Sequence, residues 1–186
     1  MHSLIVTPGR SIGPLTLGMS PDEILETLSR LRHIWDPQNS REIAITKGRD
    51  EDDFYWRYQD GFSFFMVRYQ QERAVEIGLD HYLRDQLPIT LCQMDVFQTT
   101  AEELVKSLKR HSPCVCDSED EQLGYNYVFP NIGVRLWREN CFHPKLLLDS
   151  KYMQGLWHMV DELKKNLYFD IVAVRRQGDD SSVLTN

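Results

Sequence analysis

Ser20-Pro21-Asp22-Glu23-Ile24-Leu25-Glu26-Thr27-Leu28 decides how the first half of this chain folds. Thr100-Ala101-Glu102-Glu103-Leu104-Val105-Lys106-Ser107-Leu108 repeats its logic at an offset of 80 residues, Thr100 against Ser20. In each stretch a hydroxyl residue stands three places before a glutamate. This capping-box spacing lets the hydroxyl accept from the N3 amide while the carboxylate reaches back to the N-cap. Pro21 suits the first helical position, where its missing N–H costs nothing. Ile24, Leu25, Leu28 and Leu31 then recur at helical spacing, so a helix is expected from Pro21 to near Arg32. Leu104, Val105 and Leu108 repeat that pattern in a second helix.

The segments beyond the two helices are also alike. An acidic run, Asp50-Glu51-Asp52-Asp53, precedes the aromatic segment Phe54-Tyr55-Trp56-Arg57-Tyr58 in the first half. In the second half Asp117, Glu119, Asp120 and Glu121 precede Tyr125-Asn126-Tyr127-Val128-Phe129. Turn signals at Asp60-Gly61 and Pro130-Asn131 lead into strand-like runs over 62–69 and 132–137. Apolar strands over 74–79 and 169–174 close the two halves. The expected fold is α+β: two diverged tandem units, each a capped helix packed on an antiparallel sheet. An extra helix, spaced by Met153, Leu156, Trp157, Val160, Leu163 and Leu167, is inserted in the second. The units are 1–85 and 86–176, followed by a polar tail at 177–186; the alternative is one continuous domain.

The segment Ile12-Gly13-Pro14-Leu15-Thr16-Leu17-Gly18-Met19-Ser20-Pro21-Asp22-Glu23-Ile24 resembles the opening of helix-plus-sheet modules of the β-lactamase-inhibitor-protein-like class. Small outer-membrane lipoproteins of the β-barrel assembly machine belong to that class. The segment also looks like the start of small bacterial proteins encoded beside polymorphic toxins. The resemblance covers about 13 residues, and the second half lacks the Gly-Met part. It implies tandem units whose sheets lie side by side and grip another protein. In departure from the class, neither a lipobox cysteine nor a signal peptide is expected, and no disulfide within a unit is expected.

Composition narrows the function. The 186 residues hold 28 acids and 21 Lys+Arg, a net charge of −7, with 41% hydrophobic side chains. That is ordinary for a globular protein, and the acid excess repels a phosphate backbone, so nucleic acid is not an expected partner. The opening Met1-His2-Ser3-Leu4 lacks a basic n-region, and runs such as 62–67 are far too short to span a bilayer, so a cytoplasmic protein away from membranes is expected.

No H-E-x-x-H, Walker or Rossmann pattern occurs, so neither an enzyme nor a cofactor is expected. The reading is a protein–protein inhibitor, an immunity protein that binds a basic surface on a cognate bacterial toxin domain. Asp50, Glu51, Asp52, Asp53, Asp117, Glu119, Asp120 and Glu121 would steer the encounter. Trp56, Tyr58, Tyr125 and Tyr127 would supply buried contact area. The alternative is a small zinc protein, structural or catalytic, in which Cys114, Cys116, Cys141 and His143 converge as C-x-C and C-x-H.

Overall fold

A computed structural model describes residues 3–35, 37–38, 42–48, 55–61 and 64–178, without the side chains of Trp35 and Phe64. The fold class is α+β. The first half runs β1 (Leu4–Thr7), β2 (Ser11–Ile12), β3 (Leu15–Thr16), α1 (Pro21–Trp35), β4 (Ala44–Lys47), β5 (Tyr55–Gln59), β6 (Phe64–Gln70) and β7 (Arg73–Asp80). After a 3₁₀ turn at His81–Asp85 come β8 (Ile89–Leu91), β9 (Met94–Asp95), α2 (Ala101–Leu108), β10 (Val115–Cys116), β11 (Asn126–Phe129) and β12 (Val134–Trp137). Short 3₁₀ turns lead to α3 (Val160–Lys165), and β13 (Ile171–Arg175) follows.

Both capping boxes form, one of them reciprocally. Ser20 Oγ accepts from the Glu23 amide at 3.3 Å, and the Glu23 carboxylate accepts from the Ser20 amide at 2.8 Å. Thr100 Oγ1 accepts from the Glu103 amide at 3.4 Å, but its hydroxyl donates to the Glu103 carboxylate at 3.0 Å. The Ala101 amide is taken by Leu167 O at 2.8 Å. Exposed helix starts thus gain the acceptors their first amides need.

Two sheets carry the fold. The smaller has the order β3-β2-β1-β8-β9, with β1 and β8 parallel. The larger is antiparallel, in the order β10-β11-β12-β13-β7-β6-β5-β4. The four strands after α1 fill one side and the four after α2 the other. The last strand of each group, β7 and β13, pair at the middle with Ala173 opposite Gly78.

Strand alternation sends Tyr58, Val67, Ile77, Leu79, Val172, Val174, Leu136 and Tyr127 into one continuous core with Ile24 and Leu28 of α1 and Leu104 and Leu108 of α2. The opposite face carries Tyr55, Arg68, Glu76, Ala173 and Arg135. Leu4, Ile12, Leu15, Ile89 and Leu91 of the small sheet close the same core. Gly13 sits at φ +55°, where a Cβ would lie 2.5 Å from Leu4 Cδ2, so this turn requires glycine.

The insertion departs from the expected single helix. Gly155 at φ +86° interrupts the pattern, leaving a 3₁₀ turn at Trp157–Met159 and the short α3. Of its six spaced apolar residues only Met153 is buried, and Trp157 is 59% exposed. Among the described residues, no helix is long and apolar enough to cross a membrane.

Candidate functional site

The second acidic loop is built around its own carboxylates. Asp117 accepts from the amides of Tyr125 at 2.9 Å and Asn126 at 3.1 Å, closing the loop where β11 begins. Asp120 accepts from the Gln122 amide at 2.9 Å, an Asx turn. Glu121 receives Lys109 Nζ at 2.8 Å, tying the loop to the end of α2. Glu119 is exposed. Around these carboxylates, Val115, Leu123 and Tyr125 are exposed by 39%, 37% and 45%. Tyr125 precedes the first paired residue of β11, so strand parity does not draw it inward with Tyr127. The Cys141 thiol beside its hydroxyl raises the Tyr125 pKa.

The expected aromatic anchors separate. Tyr58 and Tyr127 are 2% and 1% exposed. The Tyr58 hydroxyl meets that of Tyr69 at 2.7 Å, while the Tyr127 hydroxyl donates to Glu121 O and accepts from Arg138 Nη2 at 2.9 Å. Burial holds both phenols protonated. These rings lie in the core rather than on an exposed surface, a correction to the sequence reading, although Tyr127 borders a cleft beside α2. Trp56 is half-buried, edge-on to Tyr69 at 5.0 Å and capped by Lys47 Nζ at 3.8 Å. Asp50, Glu51, Asp52 and Asp53 lie outside the described residues.

The candidate zinc ligands are not gathered. Among the described residues, no group of three or more His, Cys, Asp or Glu side chains could hold a metal ion. All four cysteines are free thiols. Burial pushes the Cys114 thiol up to about 12 and raises Cys116 also, which favours the protonated form over a metal-binding thiolate. His143 Nδ1 instead accepts from the Lys145 amide at 3.2 Å.

Sequence reasoning missed two charged clusters that the β7–β13 pairing creates. Glu76, fully buried, accepts a hydrogen bond from Tyr55 OH at 2.9 Å on Oε1; Arg135 Nε lies 3.1 Å from Oε1 and Arg68 Nε 3.9 Å from Oε2 as ion pairs without hydrogen-bond geometry. Arg175, also fully buried, stands opposite Glu76 in register. Near the other end of the seam, His81 Nδ1 lies 3.4 Å from both Asp80 Oδ1 and Asp170 Oδ1. Burial, assisted by the neighbouring Asp170 charge, pushes Asp80 up to about 6. The alternation of Arg, Glu and Tyr within the strands was a signal for a polar face, but it could not show which residues cross from one half to the other.

A cleft of about 470 Å³ opens beside α2, walled by Ala101, Val105, Tyr127, Phe142, Pro144 and Leu167. Lys106, Lys109, Glu102, Glu121 and Arg138 supply its charge. Arg138 is 2% exposed. Its Nε donates to Gly124 O at 2.8 Å, and Nη2 donates to Gln122 O at 2.7 Å and to the Tyr127 hydroxyl. Among the described residues Nη1 has only a long bond of 3.4 Å, to Asn166 O. The cleft and the exposed loop share Glu121 and Gln122.

The chain is thus an α+β protein, with two sheets and three α-helices among the described residues. It matches no protein-family model, no curated protein and no solved structure.

Proposed function

We propose that this chain is a cytoplasmic protein–protein inhibitor, an immunity protein that covers a basic surface of a cognate toxin domain. The observation that carries the reading is the 115–125 edge, where exposed Glu119 stands among exposed Val115, Leu123 and Tyr125. Carboxylates accelerate encounter with a cationic surface, and a rigid aromatic with apolar neighbours supplies contact area at small entropic cost.

The large sheet supports the accompanying reading of two tandem units, 1–85 and 86–176. Strand order runs outward from β7 through β6 and β5 to β4 on one side, and from β13 through β12 and β11 to β10 on the other. Duplication of an ancestral helix-and-meander segment produces that arrangement. The second copy then holds the insertion between β12 and β13.

The test is co-expression with the product of the adjacent gene, followed by binding kinetics. Glu119 is the clean site for charge reversal, because Asp117, Asp120 and Glu121 also shape the loop. Glu119→Lys is expected to slow association severalfold and flatten its salt dependence, with little change in dissociation. Tyr125→Ala is expected to speed dissociation by about tenfold or more. Failure to form a complex or protect growth, or unchanged kinetics in both variants, refutes the proposal.

A further inference from the structure

The cleft beside α2 holds an electrostatic imbalance that the inhibitor reading does not use. Arg138 is almost fully removed from water, yet each of its hydrogen-bond acceptors is a neutral carbonyl or hydroxyl oxygen. Among the described residues no carboxylate pairs with it. Its guanidinium lies 5.6 Å from the Tyr127 ring and 5.9 Å from the Phe169 ring, contacts that soften its desolvation without neutralising it. A buried guanidinium without a counter-ion is costly, and an incoming anion relieves that cost.

The rest of the cleft specifies the anion's character. Lys106 and Lys109 also line it, and the Lys109 charge is balanced by Glu121 at 2.8 Å. Three cations therefore face two carboxylates in a chain whose net charge is −7. The remaining wall is apolar, formed by Ala101, Val105, Phe142, Pro144 and Leu167 with the Tyr127 ring. Its volume lies in the range of small-molecule pockets, about 300–1,000 Å³. Nη1 carries two protons against one long acceptor bond, leaving donor capacity for a carboxylate oxygen.

We infer that this cleft binds a small monocarboxylate with an apolar body, its acid group paired with Arg138 and its alkyl or aryl part against Val105, Phe142 and Leu167. The site needs no partner protein, so it stands or falls separately from the inhibitor function.

Three near-isosteric probes test it: 4-phenylbutyrate, 4-phenylbutanamide and 4-phenylbutylamine, titrated into the intact protein by calorimetry and by methyl NMR. The acid is expected to bind at least tenfold tighter than the amide, with no binding of the amine. Shifts should centre on the methyls of Ala101, Val105 and Leu167. Arg138→Gln should erase the preference for acid over amide. Because Arg138 also holds the 122–124 loop, Lys106→Glu gives a second test at an exposed position and should weaken the acid severalfold. Equal affinity for acid and amide, shifts centred elsewhere, or no binding at millimolar acid overturns the assignment.

Discussion

Glu76 makes the sharpest test of what joins the two sides of the large sheet. Its carboxylate belongs to β7, its hydroxyl donor Tyr55 to β5, and its nearest cation Arg135 to β12 on the far side of the seam. Glu76→Gln keeps the shape and an acceptor for Tyr55 but removes the charge between Arg68 and Arg135. At an effective dielectric of 20, contacts of 3.1 and 3.9 Å correspond to gross Coulomb terms of about 5 and 4 kcal/mol, before desolvation is subtracted. Removing one partner of a buried pair costs about 3–5 kcal/mol. Arg135 and Arg68 keep side-chain exposures of 14% and 19%, so water recovers a part. The expected loss is about 2–4 kcal/mol, which at a urea slope near 2 kcal/mol/M lowers the midpoint by about 1–2 M. A double-mutant cycle with Arg135→Gln should show coupling of about 1–3 kcal/mol. A loss below about 0.5 kcal/mol in Glu76→Gln, or strict additivity in the cycle, would refute the view that this ion cluster ties the halves.

Two further outcomes rest on local geometry. Asp80 has its folded-state pKa raised from 3.8 to about 6, so its protonated form favours the fold; this contribution is fully present below pH 3.8 and lost as pH rises through about 6. Urea midpoints measured between pH 4 and 7 should show this downward component in the parent protein and lose it in Asp80→Asn. That variant keeps an oxygen for the Tyr82 amide, and an unchanged pH slope would count against the assignment. Ser20→Ala removes the acceptor for the Glu23 amide and should cost about 1 kcal/mol, read as a lower urea midpoint; no change would mean that water replaces the cap without loss.

The elements that the sequence revealed are those whose determinants are local. Ser20 and Glu23 are three residues apart and decide a helix start between them, so the capping box could be read directly; the apolar and aromatic runs of β5, β6, β7, β11 and β13 were readable for the same reason. The small sheet was not. Its strands have two to four residues, and its central β1–β8 pairing is parallel, joining segments far apart in the chain. The tight turns at Gln71-Glu72 and Cys92-Gln93 have positive φ at all four residues without a glycine or asparagine to mark them. At the site, alternation grouped Trp56 with Tyr58, and Tyr125 with Tyr127, but it could not tell the core side from the solvent side. That choice is made by α1, α2 and the small sheet covering one face. Arg138 was invisible as a site residue because its significance comes from partners on three separate segments.

The position of β13 carries a consequence for biosynthesis. It lies between β12 and β7, held by backbone hydrogen bonds on both edges. During translation β7 and β12 therefore emerge with their inner edges unsatisfied, and they stay so until residue 175 has cleared the ribosome. Until then the nascent chain is a pair of open half-sheets, each offering the other, or a neighbouring nascent chain, an unpaired strand. Final closure is a zipping step that one late strand performs, and a ribosome stalled just short of it would leave a product suited to strand exchange between molecules.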